Sequence, residues 1–288
     1  MKVRIQCNDI NLGCECASVL ATNHTLKSLD FTGTKIGAEG AKALATALKS
    51  NSSLTHLTLW GGYIGDEGAV ALASALLTNH ALISLNLAYN IIQVRGVRAL
   101  VDALQTNNTL TTLELMYNKM GIEEAKALES LRNNQSLTTL NLEHNEMGVK
   151  GTKALAALLS NRHHIPKQEL REQTLRKKGA EAPTTGRLRP CTLLCLNLAY
   201  NRINKEGAEA LGDALQSNHY LTSLNLVKNK IGNEGAAYII ESLARKERCH
   251  GWTRGEGKKA VMRWQWASGA LWRRSCMAVI GVISCGSI

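Results

Sequence analysis

The sequence predicts an α/β solenoid: a curved stack with parallel strands on the concave face and helices on the convex face. Three observations predict it. The pattern Leu-x-x-Leu-x-Leu-x-x-Asn recurs about every 28 residues, starting at Leu26, Leu54, Leu82, Leu110, Leu137, Leu193 and Leu221. Each copy is followed by a run related to Gly-Ala-x-Ala-Leu. Within each copy the apolar spacing changes from every second residue to every third or fourth. A fixed period of this size belongs to stacked units that share one interior, so function is sought on a long surface rather than in a pocket.

The third copy, 82–109, justifies each element of the unit. Leu82, Leu85 and Leu87 alternate as in a short strand with one buried face. Asn90 follows where the chain must turn, and its side-chain amide is suited to bond the unpaired backbone groups of neighbouring turns. After Ile92 and Gly96, the spacing of Val97, Leu100, Val101 and Leu104 is the stripe of a helix. Asn107-Asn108-Thr109 then ends the helix and leads to the next strand. One unit cannot cover its own apolar face, but stacked neighbours can, and right-handed connections are expected between the parallel strands. The turn asparagines read Asn90, Asn118, Asn145, Asn201 and Asn229. Thr34 and Gly62 replace them in the first two units, which predicts a looser start.

The pattern breaks in three places. Residues 1–25 hold Asn8, Ile10, Val19, Leu20 and Asn23 in roughly repeat order and are expected to form a degenerate N-terminal half-repeat that caps the stack. The repeats run over 26–250. The gap from Leu137 to Leu193 is 56 residues, twice the period. Residues 165–192 are therefore either a decayed repeat or a basic insert bulging from the stack, and the matched length favours a repeat for the strand half. Pro183 and Pro190 deny its second half a regular helix. After Cys249 the period vanishes, and 251–288 is expected to be a basic tail or cap. It carries Trp252, Trp264, Trp266 and Trp272, and its apolar run is far shorter than the roughly 20 residues of a spanning helix.

These motifs resemble the leucine-rich repeat family, and the 28-residue length with Gly-Ala-x-Ala-Leu is similar to its ribonuclease-inhibitor-like subfamily. That type also occurs in the sensing ends of nucleotide-binding innate immune receptors and in the Ran GTPase-activating protein. The resemblance covers about residues 26–250. It implies a horseshoe fold, while function stays open because the scaffold hosts many partners.

Charge and cysteine usage narrow the class. The net charge is +11. Residues 165–192 hold seven Lys/Arg against three Glu, and 245–288 hold nine against two, which accounts for the whole excess. The repeats themselves are neutral in sum. Met1-Lys2-Val3-Arg4 lacks the apolar stretch of a secretory signal, so the expectation is a cytoplasmic chain whose eight cysteines are free thiols. Cys7, Cys14, Cys16 and His24 match no familiar zinc spacing, so no metal is expected. The sequons at Asn23, Asn51, Asn107 and Asn134 fall at helix ends and are read as helix-ending chemistry rather than glycan sites. His163-His164 has no metal-ligand spacing. Gly255-Glu256-Gly257-Lys258-Lys259 lacks the spacing of a phosphate loop, and neither a Gly-x-Ser-x-Gly elbow nor His-Glu-x-x-His occurs. No catalytic residues and no cofactor are expected.

The candidate surface is the concave face. The column between the second and third leucines reads Asp30, Thr58, Asn86, Glu114, Asn141, Asn197 and Asn225. Two places on come Thr32, Trp60, Ala88, Met116, Glu143, Ala199 and Val227, then Gly33, Gly61, Tyr89, Tyr117, His144, Tyr200 and Lys228. Trp60, Tyr89, Met116 and Tyr117 are expected to cluster on three adjacent turns, because Trp and Tyr combine apolar area with a polar handle. The partner-binding set is Trp60, Asn86, Tyr89, Glu114, Met116, Tyr117, Asn141, Glu143 and Tyr200. The alternative is that Ala-Tyr-Asn only packs the strand edge. The function expected is a non-enzymatic scaffold holding a protein partner. The alternatives are a GTPase activator resembling the Ran regulator, a sensing fragment like those of immune receptors, and a membrane or RNA contact through the basic tail.

Overall fold

The computed structural model describes residues 1–5, 12–160 and 192–249, with the two-residue strand 283–284. Strands and helices alternate: β1 (Lys2–Arg4), α1 (Leu12–Thr22), β2 (Ser28–Asp30), α2 (Gly37–Ser50), β3 (His56–Thr58), α3 (Gly65–Leu76), β4 (Ser84–Asn86), α4 (Val94–Leu104) and β5 (Thr112–Glu114). Then come α5 (Ile122–Ala127), β6 (Thr139–Asn141), α6 (Gly148–Leu159), β7 (Cys195–Asn197), α7 (Lys205–Ser217), β8 (Ser223–Asn225) and α8 (Gly232–Cys249). Strands β1 to β8 pair in sequence order, all parallel, in one sheet. Strand β9 (Ile283–Ser284) closes it, antiparallel to β8.

The register is the repeat itself. Leu29, Leu57, Leu85, Leu113, Leu140, Leu196 and Leu224 face one another across the sheet. They belong to a single core running from Ala17 to Ile239 between sheet and helices. Close approach of the helices explains the glycine of Gly-Ala-x-Ala-Leu. A Cβ on Gly96 would lie 2.6 Å from Ile92 Cγ2 and 2.9 Å from the Ala69 Cβ of the preceding helix. In the unit of α5 the turn asparagines stand 27 residues apart instead of 28. The missing residue is absorbed by a 3₁₀ segment, Leu128–Asn133, which rises more per residue than an α-helix.

Two expectations need correction. Strand β6 pairs directly with β7, Leu140 opposite Leu196, so no repeat strand stands between them. The Asn145 N–H donates straight to Asn201 Oδ1, 56 residues on. A length of twice the period does not make a repeat, because a strand joins the sheet only by pairing with both neighbours. Residues 165–191 lie outside the described residues, as do 251–282 with their four tryptophans. Thr34 and Gly62 stand at the asparagine position of the first two turns. Thr34 is fully buried and its hydroxyl donates to the Ile5 carbonyl, doing for its turn what an asparagine amide does elsewhere. Residues 1–22 supply both a strand paired to β2 and a helix against α2, more than the half-unit their sequence suggests.

Two asparagine columns hold the turns at the two ends of each helix. At the strand end, Asn118 Nδ2 donates to the Leu87 and Leu115 carbonyls, and its Oδ1 accepts from the Asn90 and Ile92 N–H groups, all at 3.0–3.1 Å. Asn90, Asn145, Asn201 and Asn229 repeat the arrangement toward their own neighbours. At the helix end, Asn107 Nδ2 donates to the Leu76 and Asn79 carbonyls, while Oδ1 accepts from Thr109 and Leu110. Asn51, Asn79 and Asn134 do the same in their units. The sequons at Asn51, Asn107 and Asn134 are thus buried structural amides, 2% exposed.

Candidate binding edge

The turn after each strand sets the side chains of the candidate site. The asparagine points inward, and in the turns of Asn90, Asn118, Asn145 and Asn201 the residues on either side of it adopt left-handed backbone. Tyr89 and Ile91 have φ of 58° and 56°, Tyr117 and Lys119 55° and 56°. His144 with Glu146 and Tyr200 with Arg202 repeat the pair. Such conformations cost a non-glycine residue on the order of 1–2 kcal/mol. The bonds of the buried amide hold them in place. Two parallel rows of side chains therefore leave the sheet at its strand-end edge, one from before the asparagine and one from after it.

The preceding row is a continuous file of rings. Tyr89 stacks on Tyr117, Tyr117 on His144 and His144 on Tyr200, with centroids 4.0, 4.0 and 3.9 Å apart and planes within 19°. Trp60 extends the file over Tyr89 at 4.7 Å, tilted by 51°. The tilt has a cause. Gly61 occupies the ring position of its turn with no side chain, and the indole reaches across from the residue before it. The structure therefore brings Trp60, Tyr89, Tyr117 and Tyr200 into one line. His144 joins them. Its column was legible in the sequence, but a histidine between tyrosines gives no pattern signal of its own.

Asn86, Glu114, Asn141, Glu143 and Met116 lie beside this file on the strand face, all half-buried. Their polar groups are partly committed. The Oδ1 atoms of Asn86, Asn141, Asn197 and Asn225 each accept from the N–H two residues on, at 3.0–3.1 Å. Asn197 Nδ2 donates to the Glu143 carboxylate at 2.9 Å, and Asn141 Nδ2 points at Met116 Sδ. These asparagines shape the strand end first and offer mainly their amide donors outward. Burial pushes the Glu114 carboxyl above its ordinary range, helped by the charge of Glu143, while a hydrogen bond to Asn141 opposes the rise. Partial burial, with a hydrogen bond to Tyr117, pushes the Tyr89 phenol up to about 12, so it stays a neutral donor.

The following row is not legible in the sequence, because its outward direction depends on left-handed backbone at residues other than glycine. It reads Lys35, Tyr63, Ile91, Lys119, Glu146, Arg202 and Lys230. With the ring file and Lys228 it lines a groove of about 740 Å³. Five of the lining residues are Lys or Arg and one is Glu. The repeats are neutral in sum, yet this edge is basic. On the helix side Lys42 pairs with Glu39 and Glu67, and within the groove Glu146 pairs with Arg202. Among the described residues no group of His, Cys, Asp or Glu is arranged to hold a metal.

Comparison with known families now bears on this geometry. The leucine-rich repeat model matches residues 22–45, 50–73, 106–128, 133–156, 189–212 and 217–239. The chain is a leucine-rich repeat protein. The matches straddle the gap on both sides, ending at residue 156 and resuming at 189. Solved structures similar to these repeats include leiomodin-1 actin-binding site 2, at 24% identity and a TM-score of 0.41 over 59% of this chain and 98% of that one. The tropomodulin C-terminal domain of Caenorhabditis elegans aligns at 15% identity and 0.42, over 60% and 99%. An internalin from Listeria monocytogenes aligns at 20% and 0.42, over 74% and 52%. Comparison with curated proteins gave no match.

Proposed function

We propose that this leucine-rich repeat protein is a non-enzymatic scaffold that holds a protein partner on its concave face and the adjoining strand-end edge. The contacts fall to Trp60, Tyr89, Tyr117 and Tyr200, with Met116, Asn86, Glu114, Asn141 and Glu143 beside them. The observation that carries the reading is the ring file. Aromatic side chains in a row, half-exposed and fixed by backbone the core over-determines, present large area at little further entropic cost. Tyr89 and Tyr200 remain 37% and 39% exposed, which an edge-packing role alone leaves unexplained.

The ribonuclease-inhibitor-like subfamily is part of the same proposal, supported by hydrogen bonds that recur at a spacing of 28 residues. The compartment proposed is the reducing cytoplasm, where thiols such as Cys14, Cys16 and Cys195 stay free. Replacing Trp60 and Tyr89 together by Ala is expected to abolish partner capture from native extract with an unchanged far-UV spectrum. Unchanged capture would refute the site. A GTP-hydrolysis assay with candidate G proteins is expected to show no stimulation, and a stimulated rate would instead favour an activator of the Ran-regulator kind.

A further inference from the structure

The groove differs along its length. Near β3 and β4 it presents Trp60, Tyr63, Tyr89 and Ile91, and near β7 and β8 it presents Arg202, Lys228 and Lys230. Tyr63 and Ile91 are 58% and 49% exposed, so neither gains much from the core. Ile91 is also β-branched and left-handed, at φ 56°, where a branched Cβ is a true outlier. The positions that correspond to it in later turns carry Lys119, Glu146, Arg202 and Lys230, all charged. An apolar side chain held there, strained and wet, points to a ligand that covers it.

The ring file itself selects among ligands. From Tyr89 to Tyr200 its rings lie face to face at 3.9–4.0 Å, so the π-faces within that stretch are already occupied. Nucleic-acid bases need an open face to stack on, and this file presents edges instead. Ring edges carry partial positive charge, and the tyrosines add phenolic donors. Edges, phenols and cations together favour carboxylate oxygens. Lys228 and Lys230 form no ion pair among the described residues, whereas Arg202 bonds Glu146 at 2.9 Å.

We propose that the groove binds an extended acidic segment of a protein partner, with an apolar residue against Tyr63 and Ile91 and carboxylates on Lys228 and Lys230. The proposal rests on the protein-binding reading above and names the chemistry of its ligand. Its geometry sets a spacing. Tyr89 and Tyr200 are three stacking steps apart, roughly 12 Å, and Lys228 stands one turn further. An extended chain advances about 3.3 Å per residue, so the anchor and the first carboxylate lie about five or six residues apart.

The test is selection of a random-peptide phage library on the full chain, in parallel on a Lys228→Glu/Lys230→Glu variant. Both lysines are exposed and outside the core, and a far-UV spectrum checks the variant's fold. Peptides enriched on the parent are expected to combine a bulky apolar residue with Asp or Glu about five or six places away. They are expected to bind the variant at least about tenfold more weakly, because two attractive contacts become repulsive. The whole net charge lies in 165–192 and 245–288, so non-specific capture of acids would survive the substitution. Retained binding on the variant, enrichment of neutral or basic peptides, no enrichment, or displacement by single-stranded RNA in preference to acidic peptides would each overturn the proposal. In those cases, capture lost in the Trp60/Tyr89 double variant would still stand as proof of a protein site with a different ligand. Capture kept in that variant would remove the underlying reading as well.

Discussion

Replacing Asn118 by Ala is expected to destabilise the stack by about 3 kcal/mol. The Asn118 side chain is fully buried, and its Oδ1 is the acceptor for two N–H groups of the preceding turn, Asn90 and Ile92. Both of those residues are also fully buried. Alanine leaves both donors without a partner, at about 1–3 kcal/mol each, and frees the carbonyls that Nδ2 had satisfied. Water entering the vacated space would recover part of this, so the lower half of the range is the working figure. Repeat stacks distribute stability through nearest-neighbour contacts, so the loss should be felt first at the turns of β4 and β5. Urea unfolding followed by far-UV circular dichroism gives the magnitude, and native-state hydrogen exchange gives the place. Faster exchange is expected at the amides of Asn90 and Ile92, with amides of α1 and α2 little changed. A loss below about 0.5 kcal/mol, or unaltered exchange at those two amides, would refute the ladder as the element that fixes the turn. The same substitution should weaken partner capture, since Asn118 stands between left-handed Tyr117 and Lys119.

Two further substitutions separate structure from function. Glu114→Gln is expected to raise the melting midpoint at pH 7 and to have no such effect at pH 3. The folded carboxyl titrates above its unfolded value, so its contribution is complete below the ordinary carboxylate range and is lost as pH rises through the folded value. A variant less stable than the parent at pH 7 would contradict this sign. Ile91→Asn is expected to stabilise by about 1 kcal/mol, because asparagine tolerates left-handed backbone, and to weaken binding in the groove. Denaturation and capture measured together check it, and a variant that loses stability would show that Ile91 packs for the core.

Much of this architecture is legible in the residues, and the exceptions have physical causes. The leucine alternation fixes strand register because a one-residue slip would turn every leucine outward. The columns before the asparagine place Trp60, Tyr89 and Tyr117 in neighbouring turns, and the ring contacts follow from that register. The row after the asparagine is hidden, because its outward direction depends on left-handed backbone that Tyr63, Ile91 or Lys119 do not advertise. Glycine would have marked it, as Gly37 and Gly65 do elsewhere. Asn51, Asn107 and Asn134 look like turn chemistry until the preceding helix supplies the carbonyls that they bind. Strand β1 offers a single inward apolar residue, Val3, and only its pairing to β2 makes it a strand.

The gap between the fifth and sixth pattern copies, from Leu137 to Leu193, is where length misleads most. The Thr192 hydroxyl donates to the Leu137 carbonyl, as Ser53 does to Leu26 in its own unit. Asn218 Nδ2 donates to the Leu159 carbonyl, as Asn79 does to Leu48. Both sides of the gap therefore already have their repeat partners. Asn161-Arg162 joined to Thr192-Leu193 would reproduce Asn107-Asn108-Thr109-Leu110 in spacing, with the same residues at every place but the second.

A chain lacking residues 163–191 tests the continuity on which the ring file depends, because His144 meets Tyr200 only if β6 and β7 are neighbours. Its urea midpoint and its hydrogen exchange over β6 and β7 are predicted to match those of the parent chain. Unfolding of the turns on either side of the junction, or loss of protection in β6 and β7, would contradict a single stack with one uninterrupted edge.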